Sequence, residues 1–111
     1  MGIAAVREQH RNQRIEQLAQ DVEAAALPAG VRVYLVGSWA RGDWSGASDI
    51  DLLVIGPEAV LEEARNRLAD LADDTLCISE DQWAHRKAIG DPWVVGLQGD
   101  AVLISEAREP R

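Results

Sequence analysis

With one cysteine in 111 residues, Cys77, the chain cannot form an internal disulfide, and a reducing compartment is the default. Phenylalanine is absent, so four tryptophans carry most of the aromatic content, and two of them, Trp39 and Trp44, fall within one short stretch. Basic residues are scarce: eleven Lys and Arg stand against nineteen Asp and Glu, a formal net charge of -8. A surface that tracks a nucleic-acid backbone gains its affinity from Lys and Arg, so direct nucleic-acid binding is not expected. The acidic balance suits a basic protein partner, a nucleotide whose phosphates arrive with metal ions, or simple solubility. No apolar run approaches the roughly 18 residues of a membrane span, and the N-terminus "MGIAAVREQHRNQRIEQ" has no hydrophobic signal segment. The expectation is a soluble, cytoplasmic protein with no membrane contact. Repeats, low-complexity segments and dividing linkers are also missing.

What is present is the material of a globular domain. Hydrophobic residues make up 47% and charged residues 27%, enough apolar surface to offset the entropy of ordering the chain. The length fits one domain spanning 1–111, with 105–111 expected as a frayed tail. From about Ala4 to Ala26 the positions Ile15, Leu18, Ala19, Val22 and Ala26 recur at helical spacing, and Pro28 and Gly30 end the helix. "VRVYLV" at 31–36 alternates as a strand. "DIDLLVI" from Asp49 to Ile55 is polar only at its start, the pattern of an inner strand. Pro57 suits the first turn of a helix striped by Val60, Leu61, Ala64, Leu68 and Leu71. "TLCIS" at 75–79 reads as a strand, and Ser79 with Gln82 fits a capping box opening a helix toward Gly90. "DPWVVGLQG" reads as a short helix and "AVLIS" as a last strand. This alternation predicts an α/β (α+β) fold, a small mixed sheet with helices packed mainly on one face.

The stretch "LVGSWARGDWSGASDIDLLVI" at 35–55 carries the chemistry. Asp49 and Asp51, two apart on a strand, point the same way with Cβ atoms about 7 Å apart. Such a pair supplies the one or two carboxylates that Mg²⁺ prefers beside water and phosphate oxygens. Gly37-Ser38 sits where a strand ends and a helical turn begins, where free backbone N–H groups and a missing side chain let a phosphate approach. Arg41, one turn on, supports phosphates or makes a structural ion pair. Trp39 and Trp44 stack on a base or, more commonly in a small fold, pack in a core or interface. Trp83 and Trp93 are expected to pack the C-terminal helices, Cys77 to be a buried small hydrophobe, and His10 and His85 to be surface residues without metal-ligand spacing.

The pattern Gly37, Ser38, Arg41, Gly42, Ser48, Asp49 and Asp51 resembles the signature of the DNA polymerase β-like nucleotidyltransferase superfamily, and most closely its minimal nucleotidyltransferases (MNT). The resemblance implies the polymerase β-like fold and Mg²⁺-dependent transfer of a nucleoside monophosphate, most often AMP from ATP, to a hydroxyl. It implies Asp49 and Asp51 as catalytic metal ligands and Gly37, Ser38, Arg41 and Ser48 as nucleotide-binding residues. A third carboxylate on a later strand corresponds to Asp74, with Asp73 or loss of the group as alternatives. MNT proteins of this size are typically antitoxins of HEPN-domain ribonuclease toxins, acting by AMPylation of a toxin tyrosine or by covering its active site. The implied partner is therefore a HEPN toxin, in a homo- or hetero-oligomer. A degenerate, binding-only antitoxin and a transferase acting on a small molecule are the alternatives.

Overall fold

The computed structural model of the protein describes residues 2–42 and 49–107. Along the chain the elements are α1 (Ile3–Ala24), β1 (Arg32–Val36), α2 (Ser38–Arg41), β2 (Asp51–Gly56), α3 (Glu58–Leu68), β3 (Asp74–Ser79), α4 (Glu80–Ala88), α5 (Pro92–Asp100) and β4 (Val102–Glu106). The four strands form one mixed sheet in the order β3-β2-β1-β4. β1 is antiparallel to both neighbours, and β2 runs parallel to β3 through the crossover helix α3.

Side-chain parity on the two central strands decides which residues meet. Val33, Leu35, Leu52 and Val54 point to one face, where they join Leu18 and Val22 of α1 and Ala64 and Leu68 of α3. All eight are essentially inaccessible, and each large aliphatic side chain buried this way contributes roughly 1.5–3 kcal/mol. Val36, Leu53, Ile55 and Ile78 point to the other face, under Trp83 of α4 and Leu97 of α5. The two long helices thus share one face of the mixed sheet, and a shorter pair lies across the other.

Local signals account for the helix ends. Ser79 Oγ accepts from the N–H of Gln82 at 3.2 Å, and the Asp91 carboxylate accepts from the N–H of Trp93 at 2.8 Å, with Pro92 opening α5. Arg67 of α3 donates to the carbonyls of Ala25 and Ala26, closing the end of α1.

Two expectations need correction. The strand read from Asp49 begins at Asp51, leaving Asp49 and Ile50 outside β2. The tail expected to fray from residue 105 instead continues β4 through Glu106. Its backbone finds partners there, since Arg32 pairs with Glu106, Gly30 N–H donates to Ala107 O, and Ala107 N–H donates to Val31 O, both at 2.8 Å. A bulge between Val33 and Tyr34 accommodates the extra residue. Cys77 is half-buried beside the α1–α3 core, where burial pushes its thiol up and Arg65 opposes that shift. His10 and His85 are exposed. Among the described residues, no helix is long and apolar enough to cross a membrane.

Candidate active site

Gly37 joins β1 to α2 with φ +78°, a conformation that side-chain-bearing residues rarely adopt. A Cβ placed there would lie 2.7 Å from Asp51 Oδ2. The glycine therefore lets the Asp51 carboxylate rest against the backbone that leads into α2. The register agrees, because Val36 lies directly opposite Asp51 on the antiparallel pair. In the single turn of α2, Arg41 N–H donates to Gly37 O and Gly42 N–H to Ser38 O, both at 3.0 Å. The first-turn N–H groups of Ser38 and Ala40 have no acceptor within the helix and are suited to an anion. Gly42, at φ +88°, then turns the chain out of the helix.

Arg11 holds this turn in place from α1. Its Nε donates to Trp39 O at 2.8 Å and its Nη2 to Ala40 O at 3.0 Å, satisfying carbonyls that a four-residue helix leaves open. Sequence reading missed Arg11, which lies about 28 residues away and looks like any polar position of an amphipathic helix. The Trp39 side chain packs against the α1–α3 core.

The structure separates the two neighbouring aspartates at the start of β3, Asp73 just before the strand and Asp74 its first residue. Asp73 Oδ2 accepts from the N–H of Ile50 at 2.7 Å, while the N–H groups of Asp73 and Asp74 both donate to Ile50 O, at 2.9 and 3.3 Å. Asp73 thus fastens the start of β2 to the start of β3. Asp74 is in direct register with Asp51 across the parallel pair, so both side chains leave the same face of the sheet. Asp49 is exposed and precedes the strand, so strand alternation does not set its direction. Ser48 and Trp44 lie outside the described residues.

Burial raises the Asp51 pKa, the carboxylates of Asp74, Asp49 and Asp73 raise it further, and Arg41 opposes them. Among the described residues no three His, Cys, Asp or Glu side chains form a group that could hold a metal. Mg²⁺ needs only one or two protein carboxylates, however. The donors around Asp51 are hard oxygens whose mutual repulsion a divalent cation relieves, so they fit that ion. Next to Gly37 and Arg41, on the Asp51 face, lies a cavity of about 360 Å³ walled on its far side by α5.

A strand-to-helix glycine step facing carboxylates at the starts of two parallel strands is the arrangement of a nucleotidyl-transfer domain. The chain belongs to the nucleotidyltransferase domain family, whose model matches residues 15–95. It is also similar to the crystal structure of a provisionally designated nucleotidyltransferase from Sulfolobus solfataricus, with 25% identity and a TM-score of 0.54 over 93% of this chain and 87% of that one. No protein with a curated description matches the chain.

Proposed function

We propose that the protein transfers AMP from ATP to a tyrosine hydroxyl of a HEPN ribonuclease toxin and so acts as its antitoxin. The observation that carries the transfer reading is the Asp51–Asp74 register beside the Gly37 step. Asp51 and Asp49 would hold Mg²⁺, with Asp74 beside them. The ion would neutralise the triphosphate and stabilise charge on the departing pyrophosphate. Gly37 leaves the close approach open, the Ser38 and Ala40 N–H groups and the Ser38 hydroxyl receive phosphate oxygens, and Arg41 offsets their charge. The resemblance also implies Ser48 as a nucleotide-binding residue. Asp74 takes the proton from the acceptor hydroxyl as its oxygen attacks the α-phosphorus, and the bond from that phosphorus to the pyrophosphate oxygen breaks. The net charge of -8 complements a basic, RNA-cutting partner.

One observation favours a second reading, neutralisation by occlusion alone: no three-carboxylate metal group is assembled among the described residues. Intact mass spectrometry separates the two. The protein is incubated with Mg²⁺, ATP and a candidate HEPN partner, with Asp49→Asn/Asp51→Asn as control. Added AMP mass on the partner, lost in the control, is the expected result. A stable complex with no added mass would transfer support to occlusion.

A further inference from the structure

We infer that the cavity between α2 and α5 receives the nucleoside of the donor triphosphate, with Trp93 as its stacking surface and Gly96 as the position that keeps it open. This rests on the nucleotidyl-transfer reading above. The placement follows from strand order. Asp51 on β2 has Asp74 on one side, where the acceptor hydroxyl arrives, and β1 with Gly37 on the other. The cavity is floored by Val36, the residue opposite Asp51, so it lies on the donor's side of the carboxylates and not the acceptor's.

Its walls hold the kinds of group a nucleotide requires. Arg41 of α2 lies by the phosphate step, Trp93 and Leu97 supply an aromatic and an aliphatic surface, and Asp100 at the end of α5 offers an acceptor-only carboxylate. That carboxylate suits an exocyclic amino group of a base. A volume of about 360 Å³ falls within the roughly 300–1,000 Å³ of small-molecule sites. Trp93 keeps 40% of its surface exposed, although Trp83 packs edge-on at 6.5 Å and Arg86 sits 5.6 Å from its ring centre. Arg86 lies over one face of the ring, so a base would stack on the other, and a ring fixed by two neighbours that still lines the cavity is preorganised for that contact.

Gly96 is the second, independent observation. It sits inside a helix, where glycine is less favourable than any residue but proline. Nothing lies within 4 Å of the position its Cβ would occupy, so packing does not require glycine there. What the missing side chain leaves is room in the cavity. Gly99, on the same helix and equally uncrowded, does not line the cavity and provides the matched control.

The test is isothermal titration calorimetry in Mg²⁺ buffer with ATP and with inorganic tripolyphosphate, which lacks the nucleoside. Wild type should bind ATP more tightly than tripolyphosphate. Gly96→Leu and Trp93→Ala should each weaken ATP binding by about tenfold, the scale of base–aromatic stacking, and leave tripolyphosphate binding unchanged, whereas Gly99→Leu should alter neither. Wild-type ATP affinity in Gly96→Leu would overturn the subsite, as would equal affinity of wild type for the two ligands; both leave the phosphate site standing. Failure of wild type to bind either ligand would overturn the phosphate site and the subsite with it.

Discussion

The two faces of this sheet are built from the same strands and do different work. On the α1–α3 face, Leu52 and Val54 are completely inaccessible within a continuous cluster of apolar side chains. On the α4–α5 face, Leu53 and Ile55 are equally buried, but the same row begins with Asp51, beside Asp74 and an open cavity. Moving one residue along β2 exchanges one face for the other. At a strand start a charged group can join an apolar row while staying near solvent. The difference teaches that stability is concentrated on the closed face, while the open face tolerates repulsion between carboxylates for the sake of chemistry.

Substitutions that treat the faces separately sharpen this comparison. The largest effect on stability is expected from Leu52→Ala on the closed face, a loss of about 2–5 kcal/mol in urea unfolding. Leu97→Ala, over the open face and only partly buried, should cost less than about 2 kcal/mol; equal losses would break the distinction. Gly37→Ala comes next. Its positive φ and the 2.7 Å approach of its new Cβ to Asp51 Oδ2 predict a loss of about 1–3 kcal/mol, with nucleotidyl transfer falling well beyond what the unfolded fraction explains. The smallest loss is assigned to Asp73→Ala, which removes the acceptor of the Ile50 N–H at a cost of about 1–2 kcal/mol. Transfer by the folded fraction should persist, since Asp73 fastens two strands; its abolition would place Asp73 in the chemistry instead of Asp74.

Much of this was legible in the sequence. The β-branched runs, the Gly37-Ser38 step and the Ser79 cap all announce themselves locally, and the structure places each where its local chemistry demands. What was not legible depends on pairing. The sequence DDT does not say which aspartate faces Asp51, because that is decided by the β2–β3 register imposed through the α3 crossover. Nor does Glu106 look like a strand residue; it becomes one because β1 offers it a backbone partner. Asp49 was read as the start of a strand, but Ile50 is fastened to residues 73 and 74 instead, and the ladder starts two residues later than expected, at Asp51. The α5 cavity is assembled from β1, α2 and α5, distant in sequence, and has no local signature.

The division of labour between the faces is tested most directly at Asp51, by measuring transfer and thermal unfolding on one preparation of Asp51→Asn. The Asp51 pKa is raised by burial and by Asp74, Asp49 and Asp73, with Arg41 opposing. Above its folded pKa the ionised group therefore lowers stability relative to an unperturbed aspartate, and protonation in the folded state removes that loss as the pH falls through the raised pKa. The amide should raise Tm at pH 7, with the gain shrinking on acidification, while transfer drops by about 10²–10³-fold, the size expected when an electrostatic group is taken from an active site. Retained transfer, or a Tm that falls, would contradict the account.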